Sequence, residues 1–474
     1  MRAFLVFFMV FVLSSCEKME EPAVVSPPSQ PPVSTTNILN RSPKFTGINA
    51  TTSSSFANQI FPGFYITLEK ASVFKLQINE RSSINADYRF WDPSKCYLDF
   101  NSDGRLDLLA LLTNFKDPPY GSNFGKIVLV DDLLGPNPKI KVTDANRKFM
   151  PRLKPIDLNK DGILEVLFST EEDHMLLNGT HGTTAPFQLA SISKNGDITF
   201  KEIGEAVSIH GQTFGDVDKD GDLDILVWRF AYTNPNNDDL GSLPILYLND
   251  GAANFQKTNS FTQFKGLDEL LPIQANGKRK NYPATAVELF DLDGDGNLDI
   301  IESYNHNQEI PSWEYHHLST RIYWGSGNGI YDFKNGFSDL PTDYLQGLGI
   351  STSINVGPLG FSFLDYDKDG DMDILTASTP DYGGYIIQLC ENVGNRQFKD
   401  VTKQKFDTYS SIFPRNTQLN GTFPNFYELR IYDKDNDGDY DIVPDQVATW
   451  GIWDFPISQN LYWENKGNGF ILKK

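Results

Sequence analysis

Between Asp433 and Asp441, carboxylates stand at positions 1, 3, 5 and 9 of a nine-residue stretch, as Asp433, Asp435, Asp437 and Asp441, with Gly438 at position 6. Alternate side chains of a tight turn converge on one point, and convergent carboxylates repel one another unless a cation sits among them. Donors that are all oxygen, in this number, suit a hard divalent ion, and their flexible geometry favours calcium over magnesium. The glycine lets the chain turn sharply enough to aim the position 7 carbonyl, that of Asp439, at the same point. Five more copies stand in the same register. They supply Asp99, Asn101, Asp103 and Asp107; Asp157, Asn159, Asp161 and Glu165; Asp216, Asp218, Asp220 and Asp224; Asp291, Asp293, Asp295 and Asp299; and Asp365, Asp367, Asp369 and Asp373. Turn chemistry alone does not require an acid at position 9, so six repeats of it point to metal. With no Glu at position 12 and apolar runs in place of flanking helices, the loops are not EF-hands.

The elements around these loops read as strands. An apolar run such as Ala286 to Phe290 leads in, and another such as Ile300 and Ile301 leads out. Hairpins with Asn and Gly at their tips follow, at Tyr247 to Phe255, Tyr323 to Gly329, Cys390 to Asn395 and Tyr462 to Phe470, which makes four strands per unit. The loops begin at residues 99, 157, 216, 291, 365 and 433, and residues 44–98 are long enough for one more unit without a loop. Four-stranded units that each need a neighbour on both sides close most simply into a ring. The expectation is an all-β, seven-bladed β-propeller over residues 44–474, with six blades and an amino-terminal appendage as the alternative.

These loops, their Leu-Asp-Ile-Leu continuations and the Gly-Asn-Gly hairpins resemble the FG-GAP and VCBS repeat family, which includes calcium-loop propellers of the integrin α-subunit kind. The resemblance covers about Asp99 to Lys474. It implies up to six structural calcium ions, held by the side chains at positions 1, 3, 5 and 9. At position 7 it implies the backbone oxygens of Arg105, Ile163, Asp222, Asn297, Asp371 and Asp439. No Gly-Ala-Pro accompanies the loops, and Phe-Gly precedes one only at Phe214 and Gly215, so the chain is nearer to the bacterial VCBS variant and integrin-like recognition is not implied.

Residues 1–15 read as an export signal, with Arg2 ahead of the apolar run Ala3 to Leu13. Leu13, Ser14, Ser15 and Cys16 form a lipobox, which predicts lipidation of Cys16 and a membrane anchor. The charged stretch Glu17, Lys18, Glu20 and Glu21 resembles the surface-export signal of Bacteroidota lipoproteins, which favours the outer membrane and its surface side. The proline-rich remainder of 16–43 reads as a tether. Cys96 and Cys390 are expected to be free thiols. The formal net charge of -21 has its source in the loops and excludes a nucleic-acid binder, which needs a basic face.

Insertions after the second strand of several units carry Trp228, Tyr304, Trp313, Tyr315, Tyr382, Trp450 and Trp453, rings suited to stacking on sugars or docking on a protein. The leading expectation is a lipid-anchored binding module for a glycan or protein partner. A polysaccharide lyase or hydrolase is the second reading, with Arg229, His306, Glu314, His316 and Asp454 on the face opposite the loops, and a structural component of an outer-membrane complex is the third. No Gly-x-Ser-x-Gly elbow or phosphate-binding loop is present, and no catalytic residue is assigned.

Overall fold

The computed structural model describes strands within 57–78 and most of 94–473. It leaves out 1–56, 79–93, 106, 114–124, 133–138, 145–154, 169–185, 207–208, 230–242, 271–283, 305–319, 342–357, 379–384, 407–411, 414–428, 433–434, 436, 438, 445–446, 450–451, 457–461 and 474, together with short turns within 57–78. Cys16, the tether, Trp313, Tyr315, Tyr382, Trp450, His306, Glu314 and His316 therefore lie outside the described residues.

The fold is all-β. Among the described residues six antiparallel sheets follow one another along the chain, five of four strands and one of five. The first is built from Ser94–Leu98, Asp107–Thr113, Gly125–Asp131 and Lys139–Asp144, and the second from Pro155–Ile156, Leu164–Phe168, Pro186–Ile192 and Ile198–Ala206. Ile209–Gly215, Asp224–Arg229, Pro244–Asn249 and Phe255–Lys257 form the third, and Ala284–Phe290, Asp299–Tyr304, Arg321–Tyr323 and Phe337–Asp339 the fourth. The fifth contains Pro358–Leu364, Asp373–Ser378, Tyr385–Asn392 and Phe398–Asp400, with Ile412–Phe413 added beside its third strand. Leu429–Tyr432, Asp441–Pro444, Tyr462–Asn465 and Phe470–Lys473 complete the sixth. In each of these six sheets the acidic nonapeptide joins the first strand to the second.

In the second to fifth sheets the second strand is apolar on both faces because a neighbouring sheet packs on each side of it. In the third sheet Ile225 and Val227 pack with Leu167, Phe187 and Leu189 of the second. The alternate residues Leu226 and Trp228 pack with Val287, Leu289 and Ile300 of the fourth. The same alternation joins the first sheet to the second, the fourth to the fifth and the fifth to the sixth. Glycine permits the closest approach of first strands: a Cβ on Gly211 would lie 2.7 Å from Val287 Cγ1.

Two features depart from the expected units. Residues ahead of the first loop supply three strands, Ala57–Phe61, Phe64–Glu69 and Val73–Ile78, and these share a five-stranded sheet with Ile452–Pro456 and Val447–Thr449. Val73–Ile78 pairs antiparallel with Ile452–Pro456, a strand inserted between the second and third strands of the sixth sheet, so a segment ahead of the first loop shares a sheet with one that follows the last. In the fourth sheet the expected tight hairpin at Tyr323 is a longer excursion: Arg321–Tyr323 pairs with Phe337–Asp339, while Tyr331–Asp332 leaves to pair in parallel with Phe264–Lys265.

Candidate metal centres

Local hydrogen bonds explain the loop from its sequence. The position 1 carboxylate accepts the N–H of the position 6 glycine: Asp99 from Gly104 at 2.9 Å, Asp157 from Gly162 at 2.9 Å, Asp216 from Gly221 at 3.0 Å, Asp291 from Gly296 at 3.0 Å and Asp365 from Gly370 at 3.2 Å. The position 3 side chain accepts from the N–H at position 5, for Asn101, Asn159, Asp218, Asp293 and Asp435. The position 5 carboxylate then accepts the N–H of position 7 in all six copies, from Arg105, Ile163, Asp222, Asn297, Asp371 and Asp439 at 2.7–3.1 Å. Position 6 has positive φ, from +78° at Gly104 to +101° at Gly370. Position 4 is left-handed too, and there the non-glycine residues Ser102, Lys160, Lys219 and Lys368 adopt φ of 59–64°. Such a backbone costs on the order of 1 kcal/mol or more per residue, and the loop bonds hold it in place.

Position 9 serves as a clip as well as a candidate ligand. Asp107, Asp224, Asp299, Asp373 and Asp441 are completely buried. One carboxylate oxygen accepts the position 2 N–H, as Asp224 does from Val217 at 3.1 Å and Asp299 from Leu292 at 2.9 Å. The other reaches the end of the third strand: Asp107 accepts from Asp132 N at 2.8 Å, Asp224 from Asn249 N at 2.9 Å, Asp299 from Gly325 N at 2.8 Å, Asp373 from Asn392 N at 2.9 Å and Asp441 from Asn465 N at 2.9 Å. Glu165 makes the corresponding bond to Leu158 N at 3.0 Å. Burial pushes these acids upward, Asp107 to about 6, Asp224 and Asp373 to about 7 and Asp299 to about 8, and neighbouring loop carboxylates add to the effect.

Sequence reasoning missed the third-strand asparagines. Asn249 Nδ2 donates to Leu223 O of its own loop at 3.1 Å and to Leu158 O of the preceding loop at 3.2 Å. Asn392 does the same toward Met372 O at 3.3 Å and Leu292 O at 2.9 Å. Each side chain thus ties two successive loops together. The recurring Asn-x-Gly of Asn249, Asn392 and Asn465, read as turn chemistry, was the available signal. Lysines add cross-links: Lys160 Nζ donates to Gly221 O at 2.7 Å, and Lys368 Nζ to Asp439.

The donor set fits a divalent cation. One carboxylate oxygen from each of Asp216, Asp218 and Asp224 lies within 4.8 Å of the others, and the same holds for Asp291, Asp293 and Asp295 and for Asp365, Asp367 and Asp373. Asp216 Oδ1 and Asp291 Oδ1 are buried without a hydrogen-bond partner, although Oδ2 of each is satisfied by glycine. A buried carboxylate oxygen left bare is costly, and a cation at the point of convergence removes that cost. The first loop differs, since Arg105 forks back onto Asp103 with Nε at 2.9 Å and reaches Asp132 at 2.7 Å. Asp433 lies outside the described residues, while Asp437 of the sixth loop accepts the Asp439 N–H at 3.0 Å.

One candidate ligand-binding aromatic is corrected. Trp228 is fully buried, stacked 5.8 Å from Phe333 and 6.4 Å from Tyr323 in the core between the third and fourth sheets. It follows the alternation of a strand with both faces covered, so its ring is not available to a ligand. Tyr304 ends the second strand of the fourth sheet, and Arg229 the second strand of the third. Trp453 and Asp454 lie in the strand paired with Val73–Ile78, at register positions opposite Leu76 and Lys75. Cys390 is a buried free thiol.

Neither a family model nor a curated protein matches the sequence. Among solved structures, likenesses extend to a variant of the α-L-arabinofuranosidase from Fusarium graminearum with an iminosugar inhibitor, at 13% identity over 78% of this chain and 94% of that one, TM-score 0.44. An ancestral GH74 enzyme matches at 10% identity over 86% of this chain and 48% of that one, TM-score 0.41. A variant of Aleuria aurantia lectin with α-methyl-L-fucoside matches at 10% identity over 78% and 93%, TM-score 0.34. At these scores the likenesses carry no argument about activity.

Proposed function

We propose that this chain is a calcium-stapled β-propeller of the FG-GAP and VCBS kind, anchored at the outer membrane through Cys16, that binds a glycan or protein partner. The metal reading rests on the repeated loop with its bare, buried oxygens at Asp216 and Asp291. Positions 1, 3, 5 and 9 and the position 7 carbonyls would hold the ions. Bound calcium supplies charge neutralisation, while the clip through position 9 fastens each loop to its third strand. The blade count of the proposal is six loop-bearing sheets, closed by the five-stranded sheet in which residues 57–78 meet 447–456. The partner reading rests on the aromatic and polar composition of the second-strand insertions, with Trp228 withdrawn from it.

Equilibrium dialysis against calcium, with melting curves in calcium and in excess chelator, tests the metal reading. Stoichiometric uptake of several ions is expected, and a melting temperature lower in chelator by on the order of 10 °C or more. Identical melts, or uptake no greater than for a chain with the position 1 aspartates replaced by asparagine, would remove it. Glycan arrays with Trp313→Ala and Trp453→Ala test the partner reading, and binding undiminished by both substitutions would move the recognition surface elsewhere.

A further inference from the structure

Arg396 lies in the hairpin between the third and fourth strands of the fifth sheet, and its guanidinium crosses to the loop of the fourth. Nε donates to Asp293 Oδ2 at 2.7 Å and Nη2 to Asp295 Oδ2 at 3.4 Å, while Oδ1 of each carboxylate is taken by a loop N–H. This is a built arrangement. The guanidinium carbon stands 4.9 Å from the centre of the Trp324 ring, and the Arg396 carbonyl accepts from Ser338 Oγ at 3.1 Å. Ser338 Oγ in turn accepts from Trp324 Nε1 at 3.0 Å. Asn392, in the same hairpin, grips the fourth loop at Leu292 O. By contrast, Lys160 and Lys368, which reach across to the third and sixth loops, meet Asp222 and Asp439 at position 7 rather than the acids at positions 3 and 5.

Resting on the calcium reading above, we infer that Arg396 is a built-in counter-cation of the fourth loop, which holds Asp293 and Asp295 together without metal and lowers that loop's affinity for calcium relative to the third and fifth. A fixed positive charge on two candidate ligands opposes an incoming dication and occupies the oxygens it needs. The loop would then be the last of these three to fill as calcium rises.

Calorimetric titration of the full chain with calcium alone, in metal-free buffer, tests this on Arg396→Gln. The number of ions bound should stay the same, and the weakest sites should include one that tightens roughly five- to tenfold. In chelator the variant should melt below the native protein, and in saturating calcium the two should coincide. Asp293→Asn combined with Asp295→Asn should remove one ion and make Arg396→Gln silent in the titration. Unchanged or weakened affinity would overturn the inference, and so would an equal loss of melting temperature with and without calcium, since Arg396 would then be a structural pin. If the native chain takes up no calcium, the metal reading itself fails; if it takes up calcium and Arg396→Gln changes nothing, only the counter-cation fails.

Discussion

The loops from Asp216 to Asp224 and from Asp291 to Asp299 share a backbone, a glycine at position 6, a buried position 9 clip and a bare oxygen at position 1. Their neighbours differ. Lys160 reaches the third loop at Gly221 O and Asp222, beyond the converging carboxylates, whereas Arg396 lies on Asp293 and Asp295 themselves. The clip differs in the same way: Asn249 both donates to Asp224 and ties in Leu158 O, while its counterpart in the fourth sheet is Gly325, where a Cβ would lie 2.2 Å from Leu298 O. The nonapeptide therefore specifies the fold of the loop, and the adjoining sheets set its charge balance and its coupling.

The largest effect should come from the feature the two loops share. Asp224→Ala and Asp299→Ala each leave two buried N–H groups without their acceptor, at about 1–3 kcal/mol apiece. Urea unfolding should show similar losses of several kcal/mol, and a loss confined to one variant would break the equivalence.

The pH dependence of the metal-free protein separates them next. Both acids are raised in the folded state, so their contribution is fully present below the ordinary carboxylate range and disappears as pH rises through the folded values. In chelator, stability should fall between pH 5 and pH 8. The contribution of Asp224 should be lost around 7 and that of Asp299 around 8, and saturating calcium should flatten the fall. Melts across that range in Asp224→Asn and Asp299→Asn chains check it; a stability that rises with pH in chelator would refute it.

Smaller still is the cost of position 6. Gly221→Ala and Gly296→Ala place a side chain at φ of +94° and +82°, which should cost about 1 kcal/mol each by urea unfolding. Position 4 should give the smallest effect and opposite signs. Lys219 adopts φ of 64° where the fourth loop has Gly294, so Lys219→Gly should gain a few tenths of a kcal/mol and Gly294→Lys should lose a similar amount. Equal and negligible changes would mean that the loop bonds impose no strain there.

Much of the loop was legible because its determinants are local. Asp at positions 1, 3 and 5 and Gly at position 6 act within nine residues, and the flanking apolar runs announced the strands they join. Trp228 was misread because periodicity shows that a residue is apolar, and only the presence of a sheet on each side shows that it is enclosed. Asn249 and Asn392 passed as turn residues because their second role, a bond to the preceding loop, spans 91 and 100 residues of chain.

The amino-acid sequence by itself determined the repeating acidic turn, its oxygen-only donor set, the strand on either side and the all-β class, since each follows from short-range sterics and hydrogen bonding. Only the tertiary structure decided that position 9 is a buried clip, that Arg396 faces Asp293 and Asp295, and that residues 73–78 pair with 452–456. Those outcomes depend on which sheets come to lie side by side, and burial, charge pairing and strand pairing between distant segments exist only once the apolar faces have packed.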